Sequence, residues 1–194
     1  MTLAVNEHDA VLIVDVQKDF LPGGALAVAR GDEVVPVLNR YLALARRKRL
    51  PVFASRDWHP GNHCSFRARG GPWPEHCVAG TPGAEFTPAL ELPPDAGIVS
   101  KATREDADAY SAFSGTDLTQ RLRNLGVRRL LVGGLATDYC VLGTVRDARQ
   151  HGFDVLLLRD AVRAVNVKPG DGERAERDMR EAGAVAVEIG DLDR

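Results

Sequence analysis

The chain has 194 residues, 44% hydrophobic and 27% charged, the size and composition of a single globular domain (1–194) with a full core. Its 25 Lys+Arg against 27 Asp+Glu leave a formal net charge of -2, which gives no sign of a nucleic-acid partner. No apolar run approaches the ~20 residues needed to cross a bilayer, so no membrane partner is expected either.

Residues 1–10 include Glu7 and Asp9 and lack the apolar segment of an export signal, so a cytoplasmic protein is expected. The cysteines are three, Cys64, Cys77 and Cys140, an odd number that favours reduced thiols over a disulfide framework.

Val11 to Val14 form a continuous apolar run, the pattern of a strand buried on both faces of a parallel sheet. Asp15 follows at its carboxyl end, where open parallel sheets bind ligands; it reads equally as an acid or base and as a turn aspartate. The loop beyond holds Asp19, read as solvated, and the turn Leu21-Pro22-Gly23-Gly24. With Asp32 as N-cap, Val34, Val35, Leu38, Tyr41, Leu42 and Ala45 fall at helical spacing, and Arg46 to Arg49 form the cationic end of that helix.

A second strand, Val52 to Ala54, runs into Asp57-Trp58-His59-Pro60-Gly61-Asn62-His63. Residues two apart in an extended stretch point the same way, so Asp57 and His59 can converge. With His63, and with His76 after a Gly/Pro/Trp-rich stretch, this loop has the composition of a metal site. Carboxylate plus imidazole suits Zn, Fe(II) or Mn without choosing among them. A structural zinc on His63-Cys64 and His76-Cys77 is the competing reading, and a solvated loop with no ion the third. Trp58 and Trp73 either pack the loop or wall a flat ring.

A third strand, Ile98 to Ser100, ends at Lys101, which is either an exposed lysine or the partner of a thiolate or carboxylate. Asp117 to Asn124 reads as a helix with Leu118, Leu122 and Leu125 inward. Arg129 to Val132 is a fourth strand, followed by Gly133-Gly134-Leu135-Ala136-Thr137-Asp138-Tyr139-Cys140 and a helix from Asp138 to Gln150. A cysteine at such a turn is either a small buried apolar residue or a nucleophile, its pKa lowered below the ~8.5 of a free thiol by the helix N-terminus. Asp154 to Leu158 and Ala184 to Val187 are further strands, around a helix from Asp171 to Ala182 stopped by Gly183.

Alternating strands and helices imply a three-layer α/β/α fold on a six-stranded, mainly parallel sheet. Asp15, Lys101 and Cys140 each follow a strand, so such a sheet would deliver all three to one edge, as a proton carrier, a positive charge and a nucleophile.

Several segments, in order, carry a resemblance. They are Ile13-Val14-Asp15-Val16-Gln17-Lys18-Asp19-Phe20, Asp57-Trp58-His59-Pro60-Gly61-Asn62-His63-Cys64-Ser65-Phe66, Trp73-Pro74-Glu75-His76-Cys77, Lys101 with Asp108-Ala109-Tyr110-Ser111-Ala112-Phe113, and Gly134-Leu135-Ala136-Thr137-Asp138-Tyr139-Cys140-Val141. Together they resemble the nicotinamidase/pyrazinamidase branch of the isochorismatase-like cysteine hydrolases, from about Val11 to Val187.

The resemblance implies that Cys140 is the nucleophile, Asp15 the general base and acid, and Lys101 the residue that favours the thiolate. It implies one divalent transition metal (Zn, Fe or Mn) on Asp57, His59 and His76, with His63 matching a ligand of only some members. It further implies an oxyanion hole from the N–H groups of Ala136 and Cys140, a cis Leu135-Ala136 peptide, and a ring pocket lined by Phe20, Trp73 and Tyr110.

The implied activity is hydrolysis of nicotinamide, and of pyrazinamide, through a cysteine thioester in NAD salvage, in a chain that could form a homo-oligomer. The alternatives are a related carbamoyl or amide hydrolase, such as an N-carbamoylsarcosine amidohydrolase, and a non-enzymatic zinc or redox-sensing protein built on the thiols. Ala102 departs from the family, in which glycine is frequent after the lysine.

Overall fold

The computed structural model describes residues 3–192, so Met1 and Thr2, at the start of the stretch read for an export signal, lie outside the described residues. Among the described residues no helix is long and apolar enough to cross a membrane.

Six strands form one sheet: β1 (Asp9–Val14), β2 (Val52–Asp57), β3 (Gly97–Lys101), β4 (Arg129–Leu135), β5 (Asp154–Arg163) and β6 (Val185–Val187). Their spatial order is β3-β2-β1-β4-β5-β6, and every pairing is parallel. The helices are α1 (Val34–Lys48), α2 (Leu118–Asn124), α3 (Leu142–Gln150), α4 (Asp171–Glu181) and α5 (Ile189–Leu192).

Every residue of β1 is buried, as an interior strand of a doubly covered sheet must be. Side chains alternate between two cores. Val11, Ile13, Leu131, Leu156 and Leu158 pack with α1 and α5 on one face. Ala10, Leu12, Leu130, Val132 and Leu157 pack with residues of α2, α3 and α4 on the other. This is the expected three-layer architecture.

Several boundaries differ from the sequence reading. β2 continues three residues past Ala54 because Ser55 and Arg56 pair with β3 and Asp57 pairs with Lys101. Asp32 is not the N-cap of α1; it sits in a tight turn over Gly31–Glu33, and the helix begins at Val34. Leu125 is 56% exposed rather than inward, because α2 ends at Asn124 and Gly126, at φ +70°, turns the chain so that Val127 takes the buried place.

The helix expected from Asp138 is a wider π turn over Thr137–Val141, with α3 starting only at Leu142. The N–H of Val141 reaches back five residues to the Ala136 carbonyl at 3.1 Å.

Candidate active site

The chain order reverses between β1 and β4: β2 and β3 lie on one side of β1, and β4 starts the other half. In open α/β sheets such a switch point, at the carboxyl ends of the strands, is where ligands bind. Here four adjacent strands each place a polar residue at that edge: Lys101 ends β3, Asp57 ends β2, Asp15 follows β1, and Cys140 follows β4.

Two backbone features make room for this. Asp15 takes a left-handed conformation (φ +50°), which turns the chain out of the ladder. Gly134 has φ +125°, and a Cβ there would meet the Val14 carbonyl oxygen at 2.1 Å, so only glycine lets β4 pass this close to β1.

Lys101, 1% exposed, joins the other three. Its ammonium lies 2.5 Å from Asp57 Oδ1, 2.9 Å from Asp15 Oδ2 and 3.4 Å from Cys140 Sγ, and donates to the Ala109 carbonyl at 3.1 Å. Burial disfavours the charged lysine, but the Asp15 and Asp57 carboxylates outweigh it and raise its pKa well above the ordinary value. Burial also raises the Asp57 carboxyl, yet Lys101 and His59 hold it well below the usual range. Asp15 stays raised: burial exceeds the opposing pull of Lys101 and of the Ser55 hydroxyl.

The Cys140 thiol moves opposite to the expectation. Burial pushes it well above its ordinary value, Lys101 pulls it down, and Asp15 and Asp57 push it up again. The helix N-terminus is visible in the sequence, whereas full burial beside two carboxylates is not.

Beside this group, Asp57, His59 and His76 offer ligand atoms all within 4.8 Å of one another, each residue buried. His59 Nδ1–H donates to the Ala102 carbonyl at 3.3 Å, leaving Nε2 buried without a partner and 3.6 Å from Asp57 Oδ2. His76 Nδ1–H donates to the Pro74 carbonyl at 2.8 Å, and burial lowers its pKa, so a neutral imidazole is present at neutral pH. Imidazoles oriented by carbonyls with Nε2 left over, together with a carboxylate, are the donors a divalent transition metal takes; the residues fit such an ion.

His63 lies outside this group. Its Nδ1 accepts from the Ser65 N–H (3.2 Å) and hydroxyl (2.7 Å), and Nε2–H donates to the Ala107 carbonyl (3.3 Å), so both ring nitrogens are engaged while the ring lies 4.2 Å from that of His59. Cys64 and Cys77 join no ligand cluster among the described residues.

The cluster and Cys140 open into a cleft. Phe20, Trp73 and Tyr110 line it, as does Tyr139, which the sequence reading did not single out. Trp73 Nε1–H donates to the Tyr110 hydroxyl at 3.1 Å, and the Trp73 ring stands edge-on to Tyr139 at 5.0 Å. Trp58 is elsewhere, beneath the Arg56 guanidinium at 3.6 Å. Ala136 also borders the cleft, and the Leu135-Ala136 peptide is cis.

Three buried or half-buried polar groups around the site were missed. Gln17 is fully buried; its amide donates to the Asp57 and Ala84 carbonyls and accepts from the Asp57 N–H, all at 2.8 Å, continuing the β1–β2 ladder with a side chain. Asp19, read as solvated, accepts the Cys77 N–H at 2.7 Å and so ties down the residue after His76. Ser55 donates to Asp15 Oδ1 at 2.6 Å. It lies two residues before Asp57 and hence on the same strand face, a signal lost when the strand is ended at Ala54.

The isochorismatase-domain family profile matches residues 9–190, nearly the whole chain. This chain belongs to the isochorismatase family. Within the family, the nicotinamidase of Escherichia coli K12 is 39% identical over 203 residues, covering 94% of this chain and 95% of that one. The structure of the pyrazinamidase of Pyrococcus horikoshii in complex with zinc superposes with a TM-score of 0.90 at 52% identity, covering 94% of this chain and 99% of that one. That of PnC1 from L. infantum in complex with nicotinate has a TM-score of 0.88 at 35% identity, with 97% and 98% covered.

Proposed function

We propose that this chain is an amidohydrolase converting nicotinamide to nicotinate and ammonia, and pyrazinamide to pyrazinoate, through a thioester on Cys140. The observation that carries the reading is the convergence of Asp15, Cys140 and Asp57 on the buried Lys101 ammonium, next to an Asp/His/His cluster and an aromatic-walled cleft. The similarity to a nicotinamidase, a pyrazinamidase and a nicotinate complex supports the same substrate class.

Asp57, His59 and His76 would hold one divalent transition ion, which when bound supplies an electrophilic anchor for a pyridine-type nitrogen. Phe20, Trp73 and Tyr110 clasp the ring and exclude water, so that the carboxamide carbon lies against Cys140. The thiol proton passes to Asp15 as sulfur attacks. The Ala136 and Cys140 N–H groups receive the oxyanion. Asp15 returns its proton to the nitrogen as the C–N bond breaks and ammonia leaves. Asp15 then takes a proton from water, the hydroxyl adds to the thioester, and the C–S bond breaks to give the acid and restore the thiol. Lys101 stays charged throughout and offsets the mutual repulsion of Asp57 and Asp15. This activity would place the enzyme in NAD salvage.

The test is ammonia release from nicotinamide by metal-loaded protein, by chelated protein, and by Cys140→Ala. Release by the loaded wild type alone is expected; full turnover by Cys140→Ala would overturn the nucleophile assignment, and no release by any form would overturn the substrate. Pyrazinamide should be hydrolysed as well, since it presents a ring nitrogen and carboxamide in the same relation.

A further inference from the structure

We infer that Ser55 is a positioning residue for Asp15, and that its hydroxyl selects which carboxylate oxygen carries the proton; the inference rests on the cysteine hydrolase mechanism proposed above. Ser55 is wholly buried on β2, and it holds Asp15 at both ends: its carbonyl accepts the Asp15 N–H at 3.1 Å and its hydroxyl donates to Asp15 Oδ1 at 2.6 Å. Val14 and Ser55 are the last paired positions of β1 and β2. Beyond them Asp15 leaves the ladder with φ +50°, so no strand pairing orients its side chain.

The terminal torsion of an aspartate is broad and roughly two-fold, and the two oxygens of an unrestrained carboxylate exchange freely. With Oδ1 engaged by Ser55, Oδ2 is the oxygen that meets Lys101 at 2.9 Å and is left without a hydrogen-bond partner, and a carboxylate oxygen of Asp15 lies within 4.8 Å of Cys140 Sγ.

An ionised carboxylate only accepts hydrogen bonds, and a donor on one oxygen lowers that oxygen's affinity for a further proton. Oδ2, although in ion-pair contact with Lys101, has no hydrogen-bond donor among the described residues, so the proton leaving Cys140 as the S–C bond forms lands on Oδ2 and is delivered from Oδ2 to the departing nitrogen as the C–N bond breaks. Oδ1 accepts from Ser55 in both states, and no other reactant is needed. Among the described residues the Ser55 hydroxyl has no second hydrogen-bond partner, and neither does Asp15 Oδ1, so the pair is exclusive. Without it, Asp15 could present either oxygen, or neither, to the thiol.

The experiment compares metal-loaded wild type with Ser55→Ala, Ser55→Thr and Ser55→Cys, the last keeping the volume with a weaker donor should the alanine variant not fold. Steady-state turnover of nicotinamide is read alongside the rate of Cys140 alkylation by iodoacetamide, with Asp15→Asn as the floor. The alanine variant should lose about 10- to 100-fold in kcat with KM within about threefold, and alkylation should slow in parallel. Threonine should restore most of both rates, and cysteine should fall between.

An alanine variant that keeps wild-type kcat and alkylation, or whose loss lies in KM, overturns the inference. So does a threonine variant that melts like wild type and is as impaired as alanine. If wild type does not turn over nicotinamide, the proposed substrate fails, and the alkylation rates still decide the role of Ser55.

Discussion

Replacing Lys101 by Met removes the one cation at the centre of the site while keeping a side chain of similar length. Two carboxylates lose their partner: Asp15, whose side chain is wholly buried, and Asp57, nearly so. Breaking a buried ion pair by removing one member costs about 3–5 kcal/mol, because the remaining charge stays buried without compensation. At this chain length that corresponds to a fall of roughly 6–20 °C in Tm.

The pH dependence follows from the directions of the shifts. Lys101 has a raised pKa in the folded protein, so its contribution is complete below its unfolded value of 10.5 and is lost only as the pH rises through the folded value. Asp57 has a lowered pKa, so its contribution is present above 3.8 and is lost as the pH falls through the folded value. Asp15, raised, costs stability once the pH passes 3.8 and its carboxyl ionises, and loss of Lys101 deepens that cost. The gap between wild type and Lys101→Met should thus be widest near neutral pH and shrink towards about pH 3. Chelated samples of both proteins, unfolded in urea at the two pH values, test this. A neutral-pH loss below about 1 kcal/mol, or a gap unchanged at low pH, would refute the electrostatic argument.

Gly134→Ala should cost about 3 kcal/mol or more, from positive φ and the clash with the Val14 carbonyl together; a urea midpoint close to wild type would contradict the close approach. His76→Ala should weaken zinc affinity by more than about 100-fold while His63→Ala costs less than that, as calorimetric titration of chelated protein would reveal; equal losses would make His63 a ligand. Glu33, held at a pKa of about 2 by Arg30 and Arg163, should stabilise the fold above pH 4.5 and lose that effect as the pH falls through about 2. The advantage of wild type over Glu33→Gln in urea midpoint should therefore be smaller at pH 3 than at neutral pH, and smaller again in high salt.

The parts of this molecule legible in the sequence are those where burial and chemistry agree. Val11 to Val14 is apolar because β1 is covered on both faces, so the run marked both the strand and the carboxyl end where Asp15 stands. β2 was cut short for the opposite reason: Ser55, Arg56 and Asp57 are polar, and polar residues closing a strand look like the start of a loop. Only the pairing to β3 shows them as sheet, and only then do Ser55 and Asp57 share a face. Leu125 kept helical spacing but lies past the end of α2, just before the turn at Gly126. His63 matched the composition of the metal loop, yet composition does not say which imidazoles have a nitrogen left over after Ser65 and Ala107 are satisfied.

Cys140 shows why the missing piece was physical rather than a matter of pattern. With no ion bound, a resting thiolate would set three buried anions, Cys140, Asp57 and Asp15, against the single charge of Lys101. In the metal-free protein the proton therefore stays on sulfur, in line with the raised thiol pKa. In the proposed mechanism a nucleophile that is neutral until attack needs a base within reach at that moment, and the role falls to Asp15, itself raised by burial. In this reading Lys101 does less to create a thiolate than to keep two buried carboxylates beside the thiol, one ready to accept its proton and one free to help hold a metal ion.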